Sequence, residues 1–331
     1  MPFLYLIVTA IIWLRNPFSR KKYQTQLINK VILIYRSNPE IVIHDYYNYI
    51  LGFLFQNLEN IEKTNLVFYE CPGLRPLKFL CSPINIYLQI EHTLFRPGSK
   101  TSSSAIQGEL SVPGGSQKYL IRIAELDKLS SADIIFDYSR INLFNIQSSP
   151  VLRDYLQKSF CISPALYPIF TGVNGRHGVI TLFGNPDISR RKLFLKALEH
   201  QGVSSENIRG VYFGVDEIYR KTKIVINIRQ TDGYETLEEL RVLPALRSGA
   251  IVICESAPYV EKTAYSKFII WGTLQNLPSL IAEVENNYDE IHQRIFGDGS
   301  ESSSFMKRMK RIEKCNQLAI NRAINHINAQ T

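Results

Sequence analysis

From Lys223 to Glu255 the chain reads KIVINIRQTDGYETLEELRVLPALRSGAIVICE, and charge of both signs gathers around one glycine-bearing loop. Arg229 and Arg241 flank that loop, and Glu235, Glu238 and Glu239 follow it. Glu238 and Arg241 stand three residues apart, so on a helix they share a face. Guanidiniums and backbone amides at the start of a helix neutralise a phosphate, and a carboxylate accepts from ligand hydroxyls. The amides of Gly233, Tyr234, Glu235 and Thr236, with Arg229 and Arg241, are therefore the phosphate-binding candidates. Asn227 precedes them at a strand end, within reach of the same ligand. The competing reading of Glu238 and Arg241 is a surface ion pair worth about 0.3 kcal/mol. Glu235 and Glu239 read as solvated, or as favourable charges at the helix start.

The elements that must position these residues follow from periodicity. Lys223–Ile228 is apolar and β-branched, as a buried strand requires. Leu237, Leu240, Leu243 and Leu246 recur at helical spacing, and Ser248-Gly249 stops that helix. Ile251–Cys254 is again a strand. Around this unit the second half of the chain alternates strands (Val179–Phe183, Val211–Phe213, Phe268–Trp271) with helices (Ser189–Gln201, Asp216–Thr222, Leu277–Gln293, Phe305–Asn328). Gly184-Asn185 forms a turn after the first of those strands, and Arg190 opens the helix behind it.

The first half alternates less cleanly. Tyr23–Arg36, Tyr46–Leu58, Tyr119–Leu129 and Leu152–Lys158 read as helices. Glu40–His44, Asn65–Glu70, Ile84–Ile90, Asp133–Phe136 and Phe160–Ser163 read as strands. Arg96–Lys118 is a long polar stretch, and stretches of that length are functional or disordered. Alternation of this kind predicts an α/β fold: two Rossmann-like domains with parallel sheets facing a cleft. The expected division is 1–165, 166–304 and a C-terminal helix, 305–331, returning to the first domain. In a parallel sheet the strand carboxyl ends face the cleft, which nominates His44, Asp45, Glu91, His92 and Tyr138 on the acceptor side. His92 is preferred as catalytic base, since histidine exchanges a proton near neutral pH.

The Lys223–Glu255 run resembles the donor-binding half of GT-B glycosyltransferases, in particular a bacterial and viral group with the pattern KIVLNIH…LETVRILYALSNG…VISE. Lys223–Ile228 matches its strand, Leu237-Glu238 with Arg241 its helix opening, Ala245-Leu246 and Gly249 its helix end, and Val252–Glu255 its closing strand. The resemblance is specific over about fifty residues, a span of the domain scale. It implies a metal-independent transferase that moves a sugar from a nucleotide-sugar donor to a glycan, lipid-linked or other hydroxyl acceptor. It implies no cofactor, because the nucleotide sugar is a co-substrate. Its donor-binding residues would be Gly184, Asn185, Arg190, Asn227, Arg229, Tyr234, Glu235, Thr236 and Arg241, with His92 and Glu238 catalytic. The pattern departs at Pro244, where many retaining members carry a ribose-binding glutamate, and at Arg229, where the group has histidine. A binding module of the same fold and a nucleotide-sugar epimerase are the competing readings.

Composition sets the outer bounds. A chain of 331 residues accommodates two domains. Its net charge of +8 fits an anionic nucleotide or an anionic membrane surface. No basic–aromatic RNA-binding motif or zinc-finger spacing occurs, which argues against nucleic acid. No Asp-x-Asp and no metal-ligand spacing occur, so no metal is expected. Cys71, Cys81, Cys161, Cys254 and Cys315 are odd in number and scattered, as reduced cysteines of a cytoplasmic protein would be. Met1–Leu14 is almost wholly apolar and is followed by Arg15, Arg20, Lys21 and Lys22. It is shorter than the roughly 20 residues a membrane span needs. It reads either as an element of the first core, with Phe3 and Trp13 completing a layer, or as a peripheral membrane contact.

Overall fold

The computed structural model describes residues 2–62, 64–71, 83–91, 93–98, 106, 108–111, 118–123, 125–211 and 213–329. Two largely parallel sheets organise them, one in each half of the chain, so the α/β architecture of two Rossmann-like units is present.

The first half begins with helix α1 (Pro2–Arg15) and the hairpin β1 (Tyr23–Ile28) and β2 (Val31–Arg36). The sequence reads helical over Tyr23–Arg36, and the structure corrects that reading. The segment is dense in Val, Ile and Thr, and Asn29 takes the left-handed backbone (φ 52) that a tight hairpin turn demands. Helix α2 (His44–Asn57) follows, and Ile41–Ile43 is a 3-10 turn instead of a strand. Strands β3 (Leu66–Tyr69) and β4 (Ile84–Gln89) lead to a small antiparallel sheet of β5 (Leu94–Phe95), β6 (Gly108–Ser111) and β7 (Lys118–Ile121). Strand β7 occupies part of a stretch that reads as helix, and only α3 (Leu126–Ser131) is helical there. Most of the polar stretch between Arg96 and Lys118 lies outside the described residues. Strand β8 (Ile134–Asp137), helix α4 (Arg140–Ser148) and strand β9 (Ser159–Cys161) close this half.

The six-stranded sheet runs β1-β2-β3-β4-β8-β9, parallel throughout except for β1. Alternate residues divide between its faces. Val31, Leu33, Val67 and Tyr69 pack on α2, whereas Ile32, Ile34, Leu66 and Phe68 pack on Val8 and Ile12 of α1. Helix α1 is thus part of a core on one side. Phe3 and Trp13, expected to complete that layer, instead face outward.

The second half supplies β10 (His177–Thr181), α5 (Ser189–His200), β11 (Ser205–Asn207), α6 (Asp216–Lys221), β12 (Thr222–Asn227), α7 (Glu239–Arg247), β13 (Ile251–Glu255) and β14 (Ile270–Gly272). The strand read at Val211–Phe213 falls partly outside the described residues; Val211 and Phe213 themselves are not in a strand, and β11 lies upstream of them. The long helix read over Leu277–Gln293 breaks into α8 (Leu277–Asn286) and α9 (Tyr288–Phe296). This sheet is fully parallel with order β11-β10-β12-β13-β14, so β12 is central. Gly249 ends α7 at φ 79, and a Cβ there would meet the Phe170 carbonyl at 2.4 Å. Only glycine fits both demands.

Helix α10 (Ser304–Ala329) runs back onto the first sheet, where Ile320, Ala323, Ile324 and Ile327 join the α2 side of its core. Asn316 fastens it there. Its Nδ2 donates to the Ser163 carbonyl (2.7 Å) and its Oδ1 accepts from the Ser163 amide (2.9 Å). Among the described residues no helix is long and apolar enough to cross a membrane.

Replacing Asn316 with Ala takes the partner from the Ser163 amide in a half-buried place, while the Ser163 carbonyl keeps the Ala165 amide at 2.8 Å. Chemical denaturation of Asn316→Ala is expected to show a loss of about 1–3 kcal/mol. A loss below about 0.5 kcal/mol, the range of an ordinary surface change, would mean that α10 is not held here.

Candidate functional site

The second sheet reverses its strand order between β10 and β12, and ligands of open α/β sheets bind outside the carboxyl ends of strands at such a point. The loop after β10 carries Gly184 and Asn185, and the loop after β12 carries Arg229 to Glu238. Between them lies a cavity of about 300 Å³. Gly184, Asn185, Asn227, Arg229, Tyr234, Thr236, Glu238 and Arg241 line it, together with Arg191, Glu255 and, from the first half, Val42. A second cavity of about 290 Å³ adjoins it and shares Val42, Gly184, Glu238 and Arg241. Its walls are largely apolar: Ile43, Tyr46 and Ile90 on one side, Leu182, Val215 and Leu240 on the other. Glu238 and Arg241 therefore stand where a charged chamber meets an apolar one.

Much of the charge near the loop is already engaged. Glu255, at the end of β13, accepts from Arg190 (Nη1, 2.7 Å) and from Arg229 (Nη2, 2.5 Å). Arg190 also reaches Asp232 (Nε, 2.6 Å). Arg229 also pairs with Glu235, whose other oxygen faces Arg96 of the first half at 2.5 Å. Burial alone would raise the Glu255 carboxyl, but hydrogen bonds and charge from Arg190 and Arg229 hold it below its ordinary value. The backbone joins in. Arg96 donates to the Gly233 carbonyl (2.9 Å), Glu235 donates to the Leu94 carbonyl (3.0 Å), and the rings of Phe95 and Tyr234 meet edge-on.

These contacts correct several expectations. Arg190 does not line the cavity, because Glu255 and Asp232 hold it aside. Arg229 lines the cavity with its guanidinium committed to two carboxylates. Glu235 is buried between two arginines, not solvated. The amides of Gly233 and Glu235 are bonded to Thr231 and Leu94, so they do not form a phosphate cradle. Glu239 is buried as well. It accepts from Ser139 (2.5 Å) across the domain boundary and from Tyr265 (2.7 Å), and burial raises its carboxyl to about 7.

Two cations remain. Arg191, the residue beside Arg190, is 5 % exposed and lies over the Phe183 ring at 4.4 Å. Its Nε is buried without a hydrogen-bond partner. Burial, then the like charge of Arg241, pushes its guanidinium down to about 10, with Glu238 opposing. Arg241 faces the same cavity from the first turn of α7. Among the described residues, neither has a carboxylate within ion-pair distance. The Oδ1 of Asn227, which also lines the cavity, is buried and unpartnered. Two guanidiniums without an ion-pair partner favour an anion, with Glu238 of the same cavity partly offsetting their charge. Arg191 was missed in the sequence reading, although it shares a helical stripe with Phe194 and Leu198, the buried face of α5.

The first-half candidates separate. Asp45 lines the apolar cavity and accepts from Tyr167 (2.6 Å) and from the Gly214 amide (2.8 Å) of the second half. His44 rests against the Phe213 ring at 4.9 Å and lines neither cavity. Glu91 accepts from the Glu125 amide (3.2 Å), also away from both. Tyr138 is wholly buried in the first core and lines neither cavity, although it feels the charge of Glu238, which borders both. His92 lies outside the described residues. Among the described residues no group of three or more His, Cys, Asp or Glu could hold a metal ion.

Comparison with known proteins adds little. No family model matches the chain. It is 28% identical over 143 residues to the uncharacterised protein R358 of Acanthamoeba polyphaga mimivirus, covering 42% of this chain and 51% of that protein. The matched region thus spans about half of the relative's length. Among solved structures, the calicheamicin glycosyltransferase CalG4 aligns over 87% of this chain and 81% of its own, with 11% identity and a TM-score of 0.34. A likeness that faint carries no chemistry.

Glu239 gives a pH test of the domain boundary. Its folded pKa is raised, so the folded state keeps a proton that the unfolded chain releases. Stability contributed here is fully present below the unfolded value near pH 4.5 and declines until about pH 7. Glu239→Gln mimics the protonated form. Denaturation at pH 5 and pH 8 is expected to show a decline in the wild type, on the order of 3 kcal/mol, that is much smaller in the variant. Equal slopes for both proteins would place the Glu239 carboxylate in water.

Proposed function

We propose that this protein is a glycosyltransferase that moves a sugar from a nucleotide-sugar donor to a hydroxyl acceptor. The observation that carries this reading is the pair Arg191 and Arg241, together in a cavity at the strand-order reversal of a parallel sheet. The chemistry needs its diphosphate leaving group stabilised as negative charge grows on it. The buried Arg191 and the half-buried Arg241 do this without a metal, and they act more strongly in a cavity than in water. Asn227, with its unpartnered oxygen, offers an acceptor to a donor hydroxyl.

Glu238 stands at the junction of the two chambers, where the transferred sugar must lie if the diphosphate is on the arginines. There its carboxylate orients a sugar hydroxyl or takes the acceptor proton. The apolar chamber then receives the acceptor, which fits a glycan face or a lipid-linked sugar better than a strongly charged one. Asp45, between Tyr167 and Gly214, positions that chamber's two sides more than it engages in chemistry.

Incubation with a panel of nucleotide sugars tests the reading. Release of nucleoside diphosphate supports it. Formation of an epimer, or binding without turnover, would replace it. Charge-assisted hydrogen bonds are worth about 1.5–3 kcal/mol each. Arg241→Ala and Arg191→Gln are therefore expected to lower kcat/KM by roughly ten- to a hundredfold. Glu238→Gln is expected to lower kcat by a similar factor and to change donor affinity less, with melting temperature nearly constant. Unchanged donor affinity and turnover in both arginine variants would remove the donor from this cavity.

A further inference from the structure

Helix α1 is apolar on both of its faces. Val8 and Ile12 point inward and pack on Ile32, Ile34, Leu66 and Phe68 of the first sheet. At 100° per residue, Phe3, Leu6, Ala10, Trp13 and Leu14 fall on the opposite face. Phe3 is 77 % exposed, Leu6 64 %, Trp13 72 % and Leu14 61 %. Phe18, in the turn just beyond the helix, is 92 % exposed and extends the same patch. A soluble monomer rarely leaves so many large side chains together in water.

Charge singles out what covers them. Residues 1–39 contain six basic residues (Arg15, Arg20, Lys21, Lys22, Lys30, Arg36) and no Asp or Glu. Arg20 is exposed, and Lys21 beside it is half-buried. Lys22 donates to the Asn16 carbonyl and so holds the turn that carries Phe18 at the end of α1. An aromatic and aliphatic face followed at one end by cations matches the boundary between acyl chains and anionic headgroups. Tryptophan and phenylalanine suit that depth. The helix has 14 residues, about 21 Å in length, whereas a hydrocarbon core is about 30 Å thick. Its inner face is fixed to the sheet, so it lies flat and does not span.

We propose that the outer face of α1, with Phe18, Arg20 and Lys21, docks this protein on an anionic lipid surface. The inference stands apart from the enzymatic reading, since it uses none of the cleft residues.

Co-sedimentation of the full chain with vesicles tests it. One set contains phosphatidylcholine alone, and the other also contains phosphatidylglycerol. Wild-type protein is expected to pellet with the anionic vesicles and to be released by high salt. The triple variant Phe3→Ser, Trp13→Ser, Phe18→Ser changes only exposed positions. It is expected to stay in the supernatant with an unchanged melting temperature. Arg20→Glu with Lys21→Glu is expected to remove the preference for anionic lipid, at roughly fivefold for each basic residue. In Trp271→Phe, Trp13 becomes the sole tryptophan, and its emission is expected to shift to the blue on vesicle binding. No binding by the wild type, or equal binding by the triple variant, overturns the proposal. So does a concentration-dependent dimer in sedimentation equilibrium that the triple variant abolishes without any vesicle binding, because the patch would then belong to a second copy.

Discussion

The cleft depends on one buried set of ion pairs. Arg190 and Arg229 converge on Glu255, Arg229 continues to Glu235, and Glu235 meets Arg96 from the other half of the chain. Glu235 and Glu255 are almost without solvent exposure, and an isolated carboxylate there would be untenable. The set persists because every member supplies the charge another needs. Removing one leaves an uncompensated buried ion, a loss of about 3–5 kcal/mol in comparable cases. Geometry is the larger consequence. The loop after β12 is fixed at Arg229 and Glu235 and paired with β5 like an added strand. Its position is therefore set by both domains at once, and the walls of the cleft inherit that constraint.

The same set decides which charges meet a ligand. Arg96, Arg190 and Arg229 face Asp232, Glu235 and Glu255, so their fields cancel near the loop. Arg191 and Arg241 lie outside this balance and line the cavity together with Glu238. Arg190 and Arg191 are neighbours in sequence with opposite roles, because a 100° step around α5 turns one toward Glu255 and the other onto Phe183. A cluster that consumes cations thus sharpens the site by leaving only those that point inward.

This explains what was legible in the sequence. β12, α7, Gly249 and β13 were readable because each carries a local signal: a β-branched run, a leucine period and a glycine stop. The cavity's location followed from them, and Gly184, Asn185, Asn227, Glu238 and Arg241 all line it. The first half was harder. Tyr23–Arg36 reads as helix until Asn29 is recognised as a turn, and β7 lies in a stretch whose pairing partners are remote. Pairing choices among charges were not legible at all. Nothing local tells Glu235 from Glu238, yet one is buried between arginines and the other borders both cavities. The phase of α5 was the one missed signal that the sequence did hold, since Arg191 precedes Phe194 by three residues and Leu198 by seven.

The two sheets divide the work for topological reasons. In the first, the parallel strands follow sequence order without reversal, so no crevice opens between diverging loops. Its carboxyl ends contribute walls, such as Ile90, and ties, such as Ser139 to Glu239 and Arg96 to Glu235. The second sheet reverses order at β10 and β12, and the crevice and its cations are there. Asp45 completes the division from the start of α2 by binding Tyr167 and Gly214 across the gap. Each tie crosses the boundary close to the cavities and is polar, so the domains are registered by hydrogen bonds that demand defined angles. Apolar packing alone would tolerate sliding, and a site that depends on two guanidiniums and a carboxylate at fixed separation does not.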